Sequence, residues 1–208
     1  MNLFDPDSKI IQFFQFVGSL IILNFCFVIC CIPIVTIGAA CTAMYTITLQ
    51  EAEEESGSIL GRFFKYFRSN FGKATTLWLV LLLIGGILGY NYLFLTANPT
   101  LDAGIFRGLL IVLTIVYTMI VTYSFPMLSR FENSLMGTLR NSLALAIGNL
   151  PKTIVMMIIN LLPLLILIID EPLFLRLSIL LTMIYFSAAA MLNSLMFSKI
   201  FRKLTSGT

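Results

Sequence analysis

The chain has 208 residues, of which 59% are hydrophobic and 11% are charged. Soluble domains carry about 25% charged residues, so this chain has too few charges to cover a globular protein in water. The apolar content also excludes a disordered chain. The composition therefore predicts an integral membrane protein that forms one domain over residues 1–208.

Six apolar runs come close to the length that a helix needs to cross a bilayer, which is about 20 residues. They lie at about 10–32, 35–50, 74–95, 106–126, 151–169 and 177–197. The second run is the shortest, so a re-entrant or steeply tilted helix is the alternative there. The predicted fold class is an all-α integral membrane protein with a bundle of six transmembrane helices.

The distribution of basic residues predicts how this bundle is oriented. With both termini in the cytoplasm, only Arg107 and Arg176 of the 13 basic residues lie outside. Cytoplasmic segments of membrane proteins carry an excess of lysine and arginine. We therefore expect a multi-pass protein whose N-terminus and C-terminus are both cytoplasmic.

Residues 58–73 are predicted to form an amphipathic helix at the cytoplasmic surface. Helical spacing separates an aromatic face from a basic face, a pattern typical of helices in the membrane interface. The candidate contact residues are Phe63, Phe67 and Phe71 on the aromatic face and Arg62, Lys65 and Arg68 on the basic face. Anchoring to anionic lipid and docking of a partner protein both remain open.

A second amphipathic helix is predicted at about 127–148. Its candidate contact residues for lipid or a partner are Arg130, Phe131, Glu132 and Asn133. Arg130 and Glu132 would form either an ion pair within the chain or contacts with another subunit. Residues 70–73 and 149–152 are similar strings that each precede an apolar run, which suggests a parallel internal repeat.

Three asparagines, Asn24, Asn160 and Asn193, are the candidate polar contacts inside the membrane. Side chains of this kind usually form hydrogen bonds between helices, each contributing about 0.6 kcal/mol on average. A polar pathway lined by the three asparagines is the alternative.

The sequence offers little chemistry for catalysis or metal binding. It contains no histidine, the commonest general base. Its four cysteines lie in apolar runs, where buried and unreactive thiols are expected. We therefore predict no enzymatic activity, no catalytic residue, no metal site and no cofactor. The net charge of only +3 gives no support for nucleic-acid binding.

Two stretches of the sequence resemble the YesL family of bacterial integral membrane proteins. The first contains P-x-V-T-I-G-A from Pro33, T-A-x-Y from Thr42 and F-F-K-x-F-x-x-N-F from Phe63. The second reads F-P-x-L-x-R-F-E-N-S-L from Phe125 and continues through similar strings to about residue 153. The resemblance implies a location in the bacterial plasma membrane.

The resemblance implies no catalytic residue, because the family has no established activity. Its genes often lie beside those of carbohydrate-uptake ABC transporters and glycoside hydrolases. An accessory subunit or modulator of a carbohydrate (oligosaccharide) ABC importer is therefore the first hypothesis, with membrane lipids and importer components as partners. The alternatives are a membrane permease and a lipid-interacting scaffold or sensor. The oligomeric state is open, a homo-oligomer included.

The permease alternative draws on a short string at residues 51–57. This string, E-A-E-x-x-x-G, is similar to the start of the loop by which ABC permeases dock their ATPase. The expected continuation of that loop is absent from the sequence, so the similarity is partial.

Overall fold

A computed structural model describes residues 9–51, 58–98 and 104–206 of the chain. The regular elements of these residues are all helical, which confirms the all-α fold class. The α-helices are α1 (Lys9–Cys31), α2 (Ile37–Glu51), α3 (Ile59–Ala97), α4 (Gly104–Arg130), α5 (Leu135–Gly148), α6 (Leu150–Ile169), α7 (Glu171–Leu180) and α8 (Phe186–Ser206). A 3-10 turn at Ile34–Thr36 precedes α2, and a π-helical segment at Leu181–Tyr185 joins α7 to α8.

Within the described ranges, five helical stretches are long and apolar enough to cross a membrane. They are Ile10–Cys31, Ile59–Ala97, Gly104–Arg130, Leu150–Ile169 and Glu171–Leu204. Large apolar side chains cover their outer surfaces, where Ile105 is 93% exposed and Ile169 is 81% exposed. An apolar outer surface of this kind is typical of helices that face lipid. The predicted run at 35–50 lies in a shorter apolar helix, Ile34–Gln50, so helix length does not confirm a sixth crossing.

The short helix α2 lies at the centre of the bundle. Residues 42–49 are all buried, and α2 packs against α1, α3, α4 and α8. Small residues at its start allow close approach, since a Cβ atom on Gly38 would lie only 2.5 Å from the Cβ atom of Trp78 on α3. The Trp78 indole Nε1 donates to the Ile34 carbonyl at 2.8 Å. Protein rather than lipid therefore surrounds most of α2.

Helix α3 differs from the predicted arrangement of an interfacial helix at 58–73 and a separate span at 74–95. Ile59–Ala97 is one helix of 39 residues, which corresponds to about 58 Å at about 1.5 Å per residue. The junction contains Gly72 and no proline, and Thr76 Oγ1 donates to the Gly72 carbonyl of the same helix at 2.9 Å. Extending a helix costs less than nucleating another, so the two parts form one element.

The amphipathic helix predicted at 127–148 is shorter than expected. Helix α4 continues through Pro126 and ends at Arg130, so residues 127–130 belong to it. Helix α5 begins after Ser134, whose Oγ caps it by accepting a hydrogen bond from the Gly137 N–H at 3.1 Å. An N-cap serine of this kind marks a helix start, which explains the later boundary.

The two similar strings at 70–73 and 149–152 adopt different structures. The first lies in the middle of α3, whereas the second separates α5 from α6 at Asn149. Pro151 lies in the first turn of α6, where a backbone N–H would have no acceptor within the helix, so a proline costs no hydrogen bond there. The two strings are therefore similar in sequence but lie at different positions relative to the helix boundaries.

Several helix ends meet at one end of the bundle. Arg62 Nη2 of α3 donates to Gln50 Oε1 near the end of α2 at 3.1 Å. Phe131, just after α4, packs edge-on against Phe201 of α8 with ring centroids 5.2 Å apart. We call this the basic end, because its exposed side chains include Lys65, Arg68, Lys73, Arg130, Arg140, Lys199, Arg202 and Lys203.

Candidate functional site

The basic face predicted from the sequence lies on the N-terminal half of α3. Lys65 and Arg68 are exposed, and Arg62 is half-buried where it bonds to Gln50. The Lys65 ammonium lies 5.8 Å from the centroid of the Tyr66 ring, within cation–π range. The side chains of Lys65 and Arg68 are therefore accessible to a lipid headgroup or a partner protein.

The aromatic face of the same segment is partly buried. Phe63 is 0% exposed and belongs to the core, so it is not available to lipid or a partner. Phe67 is half-buried and stacks on Phe63 at 6.1 Å, whereas Phe71 is exposed. The physical reason is that this half of α3 packs along α2, where Gln50 Nε2 donates to the Tyr66 hydroxyl at 2.7 Å. Only the outer part of the predicted aromatic surface faces outward.

The residues predicted at 130–133 form the corner between α4 and α5. Arg130 and Glu132 are exposed, while Phe131 and Asn133 are half-buried. Phe131 and Asn133 line a groove of about 370 Å³, which we call the corner groove. Its other lining residues are Met127, Asn141, Ala144, Leu145 and Leu204. The corner groove thus lies between α4, α5 and α8, beside the charges of the basic end.

Asn24 on α1 bonds to two backbone groups near the π-helical segment. Its Nδ2 donates to the Thr182 carbonyl at 2.6 Å, and its Oδ1 accepts from the Ser187 N–H at 3.0 Å. These two backbone groups are five residues apart and would bond to each other in a regular π-helix. The Asn24 carboxamide bonds to both of them, so it joins α1 to the π-helical segment and the start of α8.

Asn160 and Asn193 form a second polar contact, separate from that of Asn24. Asn193 Nδ2 donates to Asn160 Oδ1 at 2.8 Å and to the Tyr45 hydroxyl at 3.2 Å. Asn193 is 0% exposed, and its Oδ1 has no hydrogen-bond partner among the described residues. The structure therefore brings two of the three predicted asparagines together and places the third with the π-helical segment.

A cavity of about 360 Å³, which we call the central cavity, opens beside this contact. Six helices contribute to its wall, and aromatic side chains form much of it. The aromatic lining residues are Phe27, Tyr45, Trp78, Tyr117, Phe125, Tyr185 and Phe186. Asn160 also lines the cavity, whereas Asn193 stands behind Asn160 and Tyr45.

Helix α6, which contributes to the cavity wall, contains a proline whose effect is compensated by a tyrosine. Pro163 lies inside α6 and has no N–H to donate to the carbonyl four residues earlier, that of Ile159. The Tyr185 hydroxyl donates to that carbonyl. The π-helical segment therefore supplies the hydrogen bond that the proline removes.

The aromatic lining of the cavity was not predicted from the sequence. Tyr45, Trp78, Tyr117 and Tyr185 look like ordinary members of apolar runs. The available signal was that each carries a polar atom inside a membrane helix, where it needs a partner. That requirement indicates contacts between helices but not which helices approach each other.

No group of three or more potential metal ligands occurs in the part of the chain that the structure describes. The four cysteines are free thiols. The acidic string that resembles the start of a permease loop falls largely on residues 52–57, outside the described residues.

Comparison with known proteins gives a match to a protein family over part of the chain. No curated protein and no solved structure matches the chain. The later part of the YesL resemblance, which includes residues 125–133, lies outside the match found. The YesL name and the link to carbohydrate uptake stay predictions. Residues 20–92, from α1 through most of α3, match the family described as “Protein of unknown function, DUF624”, which supports a DUF624-type protein.

Proposed function

We propose that the chain is a non-enzymatic accessory subunit or modulator of a carbohydrate ABC importer, which it contacts with the basic end. The observation that carries this proposal is the corner groove, an aromatic and amide-lined depression beside exposed basic side chains. The importer itself comes from the resemblance to the YesL family.

The proposal includes six crossings of the plasma membrane, with both termini and the basic end in the cytoplasm. On α4, Arg107 and Arg130 are separated by about 35 Å of helix at about 1.5 Å per residue, close to the ~30 Å thickness of the hydrocarbon core. The central cavity lies between these charges, since Val121 and Thr118 line it. In this placement α2 crosses most of the core while protein surrounds it, and the basic end follows the positive-inside rule.

Charge favours an acidic partner surface. Glu132 is the one exposed acidic side chain among the described residues 58–73 and 127–152. The same ranges carry five exposed basic side chains, which are Lys65, Arg68, Lys73, Arg130 and Arg140. Complementary charge accelerates association and selects the correct partner. We therefore propose an acidic cytoplasmic segment of the importer as the occupant of the corner groove.

The central cavity gives little support to the alternative of a sugar permease. Sugars carry many hydroxyl groups, and each buried hydroxyl without a partner costs about 2–7 kcal/mol. The hydroxyls of Thr118, Thr122 and Tyr117 already donate to backbone carbonyls. The described wall therefore has few donors left for a sugar.

A lipid-interacting scaffold is the second candidate function, favoured by the exposed Lys65, Arg68 and Lys73 on α3. Each basic residue near an anionic leaflet contributes about 1 kcal/mol. If this candidate function is correct, phosphatidylglycerol in nanodiscs raises the unfolding temperature of the wild type. The triple variant Lys65→Gln, Arg68→Gln and Lys73→Gln loses that gain. An equal gain in both proteins would exclude this role for the basic face.

The accessory-subunit proposal is tested by purifying the tagged chain from native membranes in mild detergent and identifying the retained proteins. We expect the retained proteins to include the permease pair and the sugar-binding lipoprotein of an importer. Recovery of the chain alone, as a monomer or homo-oligomer, would overturn the proposal.

Paired variants on α5 test the docking surface. Ala144 lines the corner groove, so Ala144→Trp fills it and should release the importer components. Ile147 on the same helix is 56% exposed and does not line the groove, so Ile147→Trp is the matched control. Equal retention of the importer by both variants would exclude the corner groove as the contact surface.

A further inference from the structure

The central cavity has the size and wall of a site for a small molecule. Its volume of about 360 Å³ lies within the range of about 300–1,000 Å³ for ligand pockets and exceeds the ~150 Å³ of a cavity that holds benzene. Among the described residues that line it, none is charged. A charged ligand would lose its hydration there without a counter-ion, so the occupant must be neutral.

Most polar tips of the aromatic wall are already bonded to the backbone. The donors are Trp78 Nε1, the Tyr117 hydroxyl and the Tyr185 hydroxyl, and their acceptors are the carbonyls of Ile34, Leu81 and Ile159, respectively. These three side chains therefore offer the cavity the apolar surfaces of their rings.

Two donors in the wall remain available to a ligand. Asn193 donates to the oxygen of Tyr45 and to the carbonyl oxygen of Asn160, so it occupies an acceptor site on each. The Tyr45 hydroxyl proton and the Asn160 amide protons have no acceptor among the described residues. Because Asn193 is fully buried, it holds both donors in place from behind the wall.

We propose that the central cavity binds a neutral, largely apolar molecule with one hydrogen-bond acceptor, such as a carbonyl oxygen, which Tyr45 and Asn160 recognise. The ring faces of the aromatic side chains contact its apolar body. A free solute and the ester-bearing acyl chain of a bilayer lipid share this chemistry. The site is distinct from the basic end and does not depend on the importer.

Trp78 provides a direct reporter of occupancy, because it lines the cavity and is the one tryptophan in the sequence. In nanodiscs, bromine atoms in the cavity quench its fluorescence. The probes are 4′-bromoacetophenone, which carries a carbonyl acceptor, and 1-bromo-4-ethylbenzene, which has a similar shape without one. We expect saturable quenching by both, with tighter binding of the ketone.

Tyr45→Phe removes the hydroxyl and keeps the ring. It should weaken binding of the ketone about fivefold, as expected for the loss of one hydrogen bond, and leave binding of the hydrocarbon unchanged. Tyr92→Phe, at an exposed position of α3, is the matched control and should change the binding of neither probe. Ala189→Phe places a ring in the cavity and should abolish saturable quenching. If this variant does not fold, the comparison of ketone and hydrocarbon binding in Tyr45→Phe still tests the proposal.

Nanodiscs of dibrominated phosphatidylcholine distinguish the two sources of the ligand. Quenching by these lipids that Ala189→Phe relieves would identify a lipid acyl chain as the occupant. Saturable quenching by the ketone alone would identify a free solute. Quenching that rises linearly with probe concentration, and equally in the wild type, Tyr45→Phe and Ala189→Phe, would overturn the proposal.

Discussion

The contact between α2 and α3 depends on Gly38, and a single methyl group should disturb it. A Cβ atom at this position would lie 2.5 Å from the Cβ atom of Trp78 and closer still to the Ala74 carbonyl oxygen. Carbon atoms pack at about 3.5–4.0 Å, so the two helices would have to separate by about 1 Å. Neither clashing atom can rotate away, because one is backbone and the other is a Cβ.

Overpacking of this kind costs about 1–3 kcal/mol, against a gain of up to about 1 kcal/mol from the better helix propensity of alanine. We expect Gly38→Ala to lower the free energy of unfolding by about 1–2 kcal/mol and the unfolding temperature by about 2–8 °C. A thiol-reactive fluorogenic dye reports the unfolding temperature in detergent. The half-buried Cys30, Cys31 and Cys41 contribute to the starting signal, and the buried Cys26 becomes reactive when the protein unfolds.

The matched control is Gly86→Ala on α3, where an added Cβ meets no atom within 4 Å. This variant should unfold at or slightly above the temperature of the wild type. The reasoning is refuted if Gly38→Ala is as stable as Gly86→Ala, since the close approach of α2 and α3 would then not require glycine.

Two further predictions concern the hydrogen bonds around the π-helical segment. Asn24→Leu should destabilise the protein by about 1–3 kcal/mol in the same thermal assay, because it removes the two hydrogen bonds that join α1 to the backbone of Thr182 and Ser187. Asn91→Leu should change the stability little, since Asn91 is not buried and bonds to its own helix. Tyr185→Phe should destabilise the wild-type protein, because the Ile159 carbonyl loses its donor. It should have little effect on stability in a Pro163→Ala background, where the restored N–H of residue 163 can reach that carbonyl. Equal losses of stability in both backgrounds would contradict the proposed compensation.

The sequence was sufficient to predict helices and their approximate positions in the apolar runs. It was insufficient for boundaries where two patterns meet. The change from amphipathic to apolar character near Gly72 looked like a junction, yet no residue there stops a helix, and α3 runs through it. At Pro151 a real stop signal was present, and the structure does separate α5 from α6.

The candidate site was predicted only in part, because its geometry depends on which helices approach each other. Periodicity placed Phe63 and Phe71 on one face, but Phe63 is buried in the core and Phe71 is exposed. The pairing of Asn160 with Asn193 joins residues 33 positions apart in the sequence. The pattern of a single helix carries no information about such partners, which depend on tertiary packing.

The proposed function requires the basic end to lie in the cytoplasm, and labelling of two positions on α3 tests this directly. Ser69 and Thr96 are both exposed, and about 40 Å of helix separates them. With a membrane-impermeant maleimide, and wild type as the blank, Thr96→Cys should be labelled in intact cells and Ser69→Cys only after permeabilisation. Labelling of Ser69→Cys in intact cells would place the basic end outside and contradict the proposal.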